Sequence, residues 1–176
     1  METDYNNIYL KQSNKSRLRR IPFYKELASH INQNDMVLDL GCGNGMLPIF
    51  SKFKKYKGID FSEIAIEQAK RFCKTAKFIC GDVITFIKKE KYTLVVLTEF
   101  LEHVDNDIEI ITLIKKGSNV LISVPFDEPI INDRPKGYPT HKRSYTIQSF
   151  KSRYKDIKFE KIYIFNTWII ALGIKI

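Results

Sequence analysis

The segment that most constrains the fold is an apolar run that breaks into three glycines at alternate positions. It reads Met36-Val37-Leu38-Asp39-Leu40-Gly41-Cys42-Gly43-Asn44-Gly45. A short continuous apolar run is typical of a buried parallel strand, and glycines let the backbone turn sharply and approach a ligand without a Cβ in the way. A dinucleotide-binding loop would need its third glycine at position 46, where this chain has Met46. The segment therefore predicts a strand followed by a ligand-binding loop that lacks the dinucleotide spacing.

Chain length favours one domain. The 176 residues suffice for a single three-layer core and are too few for two well-buried cores. The N-terminus carries Asp4, Asn6 and Asn7 where a secretory signal would have an apolar stretch, and no apolar run reaches the ~20 residues of a membrane span. We therefore expect a protein that is neither secreted through such a signal nor inserted in a membrane.

The cysteines indicate a reducing compartment. Cys42, Cys73 and Cys80 are odd in number and have no C-x-x-C spacing, so we expect free thiols and a cytoplasmic protein. Cys42 lies in the glycine loop, where it is either a nucleophile or a small residue that fills a gap. The formal net charge of +9 suits an acidic partner, although a lysine-rich composition alone produces such a charge.

Hydrophobic periodicity predicts seven strands and six helices. The strands are at residues 37–40, 56–59, 77–80, 94–97, 120–124, 158–165 and 168–174. The first helix starts at Ser13 or Asn14 and reaches about residue 31; the others lie at 46–53, after Ser62, after residue 82, at 107–115 and at 147–154. A polar connection spans 126–144, and a tight turn at residues 166–167 joins the last two strands.

Three acids lie at the C-terminal ends of the first three predicted strands. Asp39 lies in the first strand, Asp60 follows the second strand at 19 residues after Gly41, and Asp82 follows the third. Open α/β sheets bind ligands at the carboxyl ends of their strands, and an acid ~20 residues after the glycine loop binds ribose hydroxyls there. The alternative is that Asp60 caps the following helix and Asp82 caps a turn.

Three motifs resemble those of the class I S-adenosylmethionine-dependent methyltransferases. The glycine loop with Asp39 two positions before Gly41 resembles their motif I, and Asp60-Phe61-Ser62 resembles the D-x-S at the end of their second strand. Lys116-Gly117-Ser118 resembles their L-K-P-G-G turn, with Ser118 replacing the second glycine and Lys116 the proline. The resemblance runs from about residue 36 to the C-terminus, and the first 35 residues have no counterpart.

The resemblance implies an α/β fold: a Rossmann-like three-layer α/β/α sandwich whose seven-stranded, mostly parallel sheet ends in an antiparallel hairpin. It implies one methyltransferase domain over residues 1–176. Within it, residues 1–35 form a helical cap, 36–125 the cofactor-binding core, 126–145 a substrate loop and 146–176 the closing helix and hairpin. The oligomeric state stays open.

The resemblance also implies a cofactor, S-adenosyl-L-methionine, and its contacts. Asp39 and the backbone of the glycine loop would hold the methionine part, Asp60 the two ribose hydroxyls, and Asp82 the adenine amino group. The implied cofactor-binding residues are Asp39, Gly41, Cys42, Gly43, Asn44, Gly45, Asp60, Phe61, Asp82, Val83 and Thr98. Such a site accelerates methyl transfer largely by aligning the reactants.

A second constellation follows strand four and reads Glu99-x-x-Glu102-His103. On a loop turning into a helix, residues at i, i+3 and i+4 point the same way, so these side chains would share one face. That face would position His103 or Glu99 as a catalytic group or hold a divalent cation, Mg²⁺ or Mn²⁺. The alternative is solvated carboxylates and a histidine that caps the helix.

Two methyltransferase families carry E-x-x-E-H at this point. One is similar to the ubiquinone-biosynthesis O-methyltransferases; the other comprises the small-RNA 3′-terminal ribose 2′-O-methyltransferases, whose cation is held by both glutamates, that histidine and a second, downstream histidine. Here His141 begins His-Lys-Arg-Ser-Tyr-Thr, a stretch that both families resemble. The implied metal ligands are therefore Glu99, Glu102, His103 and His141, with His141 as a further catalytic candidate.

The predicted acceptor is a hydroxyl oxygen of a small molecule, and the alternative is the ribose at an RNA 3′ end. Residues 134–158 contain eight lysines or arginines against one acid, Asp156, which suits RNA or a phosphate-bearing substrate but equally a solvated surface. A third possibility is a non-catalytic, methyltransferase-like subunit that binds a partner through its basic face.

Overall fold

The computed structural model describes residues 7, 9, 18–131, 134–135 and 140–176. The chain divides into two compact units, Met1–Thr93 and Leu94–Ile176.

The first unit is a run of parallel β/α connections. It contains helix α1 (Ile21–Ala28), strand β1 (Met36–Leu40), helix α2 (Leu47–Phe50), strand β2 (Lys55–Asp60), helix α3 (Glu63–Phe72), strand β3 (Lys77–Cys80) and helix α4 (Val83–Lys89). Strand β2 pairs in parallel with both β1 and β3. Most side chains of β1 and β2 are buried, as expected of strands covered on both faces.

Local chemistry sets the ends of these helices. The Ser62 side chain accepts a hydrogen bond from the backbone N–H of Ala65 and so caps α3. The Asp82 side chain caps α4 in the same way, accepting from Ile84 and Thr85. Each helix therefore begins directly after a strand end.

The second unit combines two parallel strands with an antiparallel hairpin. It contains strand β4 (Leu94–Thr98), helix α5 (Asp107–Leu113), strands β5 (Asn119–Pro125), β6 (Ile130–Ile131) and β7 (Arg134–Pro135), helix α6 (Ile147–Arg153) and strands β8 (Ile157–Phe165) and β9 (Trp168–Lys175). Strand β5 pairs in parallel with β4 and antiparallel with β9, and β9 pairs antiparallel with β8. The short strands β6 and β7 form a separate two-stranded ladder.

The strand order in the large sheet is β3-β2-β1-β4-β5-β9-β8. This is the seven-stranded, mostly parallel sheet with an antiparallel C-terminal hairpin that the sequence predicted, so the predicted fold class is confirmed. In the described part of the chain, no helix is long and apolar enough to cross a membrane. The prediction of one domain over residues 1–176 stays a prediction.

The predicted elements match the observed ones to within a few residues, with three differences. Helix α2 ends at Phe50 because Ser51 adopts an extended backbone. The β6–β7 ladder was not predicted, because two-residue strands carry no periodicity. Helix α1 spans Ile21–Ala28, whereas the predicted start at Ser13 or Asn14 lies outside the described residues.

Candidate functional site

The glycine loop after β1 has a backbone that only glycine adopts readily. Gly43 and Gly45 have φ values of 53° and 70°, in the left-handed region. A Cβ at Gly45 would lie 2.7 Å from the Cβ of Ala69, and one at Gly43 would lie 2.6 Å from the hydroxyl oxygen of Tyr9. The loop is therefore closely packed, and both its backbone angles and its neighbours require glycine.

Asp60, at the end of β2, connects the glycine loop to the start of α3. Its Oδ2 accepts a hydrogen bond from the Gly43 N–H at 2.8 Å, and its Oδ1 accepts from the Ser62 N–H at 2.9 Å. Burial raises the pKa of Asp60 above its ordinary value, while the backbone N–H groups of Ser62 and Gly43 oppose that shift. The carboxylate thus lies beside the loop, as the sequence predicted, and it also orders the loop.

Asp39 is 2% exposed and belongs to the same unit. Its Oδ2 accepts a hydrogen bond of 2.5 Å from the hydroxyl of Tyr56, a residue of β2 that the sequence analysis did not identify. Its Oδ1 is buried and has no hydrogen-bond partner among the residues that the structure describes. The pKa of Asp39 is raised to about 7, chiefly by burial and also by the charge of Asp60, while the hydrogen bond from Tyr56 opposes the shift.

Tyr9 is a second residue that sequence reasoning missed. Its hydroxyl lies over Gly43, and its backbone carbonyl accepts a hydrogen bond of 3.3 Å from the Gln68 amide on α3. Burial raises the pKa of the Tyr9 phenol, and the charge of Asp60 adds to that shift. No sequence signal pointed to Tyr9, because it lies 32 residues before Gly41 with no periodic pattern around it.

The adenine side of the predicted site is more open. The carboxylate of Asp82 is exposed and accepts hydrogen bonds from the Ile84 and Thr85 N–H groups and the Thr85 hydroxyl, so it acts as the cap of α4. Val83 is the first residue of α4, and Phe61 is a large apolar residue that remains 59% exposed. The contacts of these residues with adenine stay a prediction.

The second unit brings together three of the four predicted metal ligands. One donor atom each from Glu102, His103 and His141 lie within 4.8 Å of one another. The two imidazole rings meet edge to face, with ring centroids 4.8 Å apart, and His103 Nε2 is 3.9 Å from Glu102 Oε1. We call these three residues the histidine cluster.

Each imidazole of the histidine cluster is held through its Nδ1 atom. His103 Nδ1 lies 2.8 Å from the hydroxyl oxygen of Thr140, and His141 Nδ1 lies 2.6 Å from Glu128 Oε2. Neither Thr140 nor Glu128 was singled out from the sequence. Contacts of this kind orient an imidazole and select its tautomer.

The fourth predicted ligand, Glu99, does not belong to this group of donors. Residues 101–103 and 105–106 form turns rather than a helix, and Glu99 has a φ of 51°, so the shared helical face that the i, i+3, i+4 spacing predicted is not formed. The catalytic role of Glu99 stays a prediction. Thr98 ends β4 opposite Ser123 of β5, and the hydroxyls of both are buried without a hydrogen-bond partner among the described residues.

Arg143 fixes the turn that carries Glu102 and His103. Its Nη1 donates to the carbonyls of Leu101 and Val104, both at 2.6 Å, and lies 3.5 Å from Asp107 Oδ1. In addition, the backbone N–H of Lys142 donates to the Glu102 carbonyl at 2.8 Å. The turn and the segment carrying His141 are therefore joined on both sides of the histidine cluster.

The first unit fits a cationic amino-acid ligand. Two buried acids, Asp39 and Asp60, lie near the ends of β1 and β2 beside a loop whose three glycines have no Cβ, and Oδ1 of Asp39 is unpaired among the described residues. A sulfonium or an ammonium group supplies the positive charge that such acids need. S-adenosylmethionine carries both groups, so the residues present fit this cofactor.

Comparisons with known proteins also point to a methyltransferase. The family described as "Methyltransferase domain" matches residues 10–164. No curated protein matches the chain in sequence. The fold is similar to that of the PH0226 protein from Pyrococcus horikoshii OT3, with a TM-score of 0.69, 17% identity and coverage of 94% of this chain and 93% of that chain.

Two further similar structures contain SAH. One is a DhpI–SAH complex, with a TM-score of 0.72, 15% identity and coverage of 97% and 94% of the two chains. The other is magnesium protoporphyrin IX methyltransferase (ChlM) from Synechocystis PCC 6803 with bound SAH, with a TM-score of 0.64, 15% identity and coverage of 94% and 89%. At such identities the structures show the fold, while the family match covers most of the chain. This protein belongs to the methyltransferase-domain family and is an S-adenosylmethionine-dependent methyltransferase.

Proposed function

We propose that this methyltransferase transfers a methyl group to a hydroxyl oxygen of a small molecule. The observation that carries the proposal is the histidine cluster, in which two imidazoles and a buried carboxylate lie within 4.8 Å. Nitrogen acceptors that are neutral amines need no base of this kind. A hydroxyl has to lose its proton as it attacks, and an imidazole is the side chain best suited to take it near neutral pH.

In this proposal the cofactor is bound by the glycine loop with Asp39 and Asp60. When bound, S-adenosylmethionine supplies an electrophilic methyl group on a sulfonium. The acceptor oxygen would form the new C–O bond as the bond between the methyl carbon and sulfur breaks, so that the electron pair leaves with sulfur in S-adenosylhomocysteine. The proton of the acceptor hydroxyl would pass to a ring nitrogen of His103 or His141. Glu102, which is fully buried, stabilises the positive charge that the imidazole then carries.

A cation-dependent version of the same chemistry rests on the donor set. Two imidazole nitrogens and one carboxylate oxygen favour Mn²⁺ over Mg²⁺, because Mg²⁺ prefers oxygen ligands and retains its waters. A cation held there would lower the pKa of a bound hydroxyl and so activate an aliphatic alcohol or a ribose. This version is the one that suits the alternative acceptor, an RNA 3′ end.

The location proposed for the enzyme is the cytoplasm. Its three cysteines are all free thiols. Unpaired thiols are the usual state in a reducing compartment.

The test is methyl transfer from labelled S-adenosylmethionine to panels of phenols, aliphatic alcohols and short RNAs, with and without a chelator. We expect O-methylated small molecules, and a loss of at least about 100-fold in His103→Gln or His141→Gln, the scale of general-base catalysis. The matched control is His30→Gln, which removes the third histidine, a side chain paired with Glu26 in the first unit.

The outcomes separate the versions. Activity that a chelator abolishes and Mn²⁺ restores would establish the cation version, and transfer confined to RNA would move the acceptor to ribose. Methyl transfer only to nitrogen or carbon, or full activity in both histidine variants, would contradict the proposal.

A further inference from the structure

Glu128 lies in contact with the histidine cluster but belongs to none of the sequence motifs. Its carboxylate oxygen Oε2 is 2.6 Å from His141 Nδ1, and the two side chains are 15% and 8% exposed. A carboxylate accepts hydrogen bonds, so the proton of this bond belongs to Nδ1. At this distance and burial the contact is a short, charge-assisted hydrogen bond.

The two residues before Glu128 are held by contacts with Tyr145. Phe126 forms an isolated parallel bridge with Tyr145, and the Asp127 N–H donates to the Tyr145 carbonyl at 2.8 Å. Asp127 itself has a φ of 48°, in the left-handed region that aspartate tolerates better than most residues. This turn directs the chain so that the next residue, Glu128, meets the imidazole.

A fixed proton on Nδ1 decides what the other ring nitrogen does. In the neutral imidazole one nitrogen carries the proton and the other has a lone pair. When Glu128 holds the proton on Nδ1, the lone pair is on Nε2, which is then the atom that accepts a proton or binds a cation. A free imidazole in water prefers the opposite tautomer, so the selection needs a partner such as Glu128.

We propose that Glu128 is the positioning residue of His141: it selects the Nδ1–H tautomer and orients the ring so that Nε2 is the reactive nitrogen. This inference rests on the proposed function, since it assigns the nitrogen through which His141 acts. In this proposal, Glu128, from the polar connection between β5 and α6, is a functional residue of the site.

The test reads the tautomer directly, without methyl transfer. In protein labelled with ¹⁵N-histidine, long-range ¹H–¹⁵N spectra distinguish a protonated ring nitrogen from a bare one, and the chain has only three histidines to assign. Assignment uses His30→Gln and His103→Gln. We expect His141 of the wild-type protein to carry its proton on Nδ1 at neutral pH.

Two variants and a control then isolate Glu128. Glu128→Leu removes the acceptor and should move the His141 proton toward Nε2, with turnover reduced about 10- to 100-fold and S-adenosylhomocysteine affinity changed less than about twofold. Glu128→Gln retains an oxygen acceptor and should recover much of the wild-type tautomer. Asp105→Asn removes a neighbouring acid that pairs with Lys142 and should leave the His141 signals unchanged.

A wild-type His141 with a bare Nδ1, or a tautomer unaltered in Glu128→Leu, would overturn the inference. The wild-type spectrum decides even if the leucine variant fails to fold. A tautomer that changes in Glu128→Leu without loss of turnover would support the positioning role of Glu128 and contradict the catalytic role of His141, so the two failures are distinguishable.

Discussion

Two buried carboxylates of this enzyme have opposite surroundings. Asp39 of the first unit and Asp107 of the second are 2% and 0% exposed. Asp107 contacts two arginines and a tyrosine hydroxyl, whereas the groups that shift the pKa of Asp39 are a tyrosine hydroxyl and another acid. Equal burial therefore has different meanings, depending on whether the fold supplies the opposite charge.

Asp107 is compensated within the protein. Arg153 donates to both of its carboxylate oxygens at 2.6 and 2.8 Å, and the Tyr154 hydroxyl donates at 2.8 Å. Burial by itself would raise the pKa of Asp107, but these hydrogen bonds and the charges of Arg143 and Arg153 outweigh it and hold the pKa below its ordinary value. An acid of this kind joins α5 to α6 and stabilises the fold.

Asp39 lacks such compensation. Its shift from 3.8 to about 7 corresponds to a cost of about 4 kcal/mol when the group is ionised, at about 1.36 kcal/mol per pKa unit. Natural proteins retain destabilising residues of this kind where the residue is needed for function. A cationic ligand would offset this cost, so the comparison supports the prediction that Asp39 serves ligand binding, whereas Asp107 stabilises the fold.

The largest effect should come from breaking the compensated cluster. Asp107→Ala leaves Arg153 and Arg143 without their carboxylate and should lower the free energy of unfolding by about 4 kcal/mol, the scale of a broken buried ion pair. Urea unfolding measures it. The matched control is Asp156→Ala, which breaks a pair between Lys175 and a side chain that is 47% exposed and should cost less than about 1 kcal/mol. Equal costs for the two variants would contradict the distinction.

Neutralising Asp39, the uncompensated acid, should increase the free energy of unfolding rather than lower it. Asp39→Asn should raise the free energy of unfolding at pH 8 by about 2 kcal/mol, less than the cost of about 4 kcal/mol because the amide is also buried. The same variant should weaken S-adenosylhomocysteine binding about 10- to 100-fold, which calorimetric titration measures. A variant that is less stable and binds as tightly would contradict the assignment.

The increase in the free energy of unfolding that we expect for Asp39→Asn should depend on pH. The folded protein keeps the Asp39 proton up to a pH of about 7, whereas the unfolded chain loses it near 3.8. Between these values the folded state binds more protons, so the contribution of Asp39 to stability falls as the pH rises. The difference between variant and wild type should therefore be small near pH 4 and reach its full size above pH 7.

The smallest effects on stability should come from removing one tyrosine hydroxyl near each of the two acids, Asp39 and Asp107. Tyr56→Phe removes the hydrogen bond to Asp39, should cost about 1 kcal/mol, and should raise the pKa of Asp39 further, moving the pH-dependent decline in stability upward. Tyr145→Phe removes a hydrogen bond of 2.8 Å to the Tyr154 hydroxyl and should cost about the same between pH 5 and 8 without moving any transition. Unfolding curves across that pH range test both.

Much of the first unit was predictable because its signals are local. The apolar run before Gly41, the glycines at alternate positions and the cap at Ser62 each depend on neighbouring residues, and the structure confirms the strand, the loop and the helix start. Asp60 followed from its distance along the chain, since a parallel β/α unit has a regular length. The two residues missed there were Tyr9, which lies over Gly43, and Tyr56, which donates to Asp39. Both contacts form only in the folded structure and leave no local signal in the sequence.

The second unit was less predictable. The sequence by itself determined which residue types were available, and the motif that begins at His141 identified this histidine as a candidate site residue. Only the tertiary structure decided that His141 meets Glu102 and His103, that Glu99 does not join them, and that Glu128 holds the His141 ring. The physical reason is that hydrogen bonds and donor distances between residues 13 to 39 positions apart depend on turns and strand ends, whereas local spacing reports only the neighbours along one element.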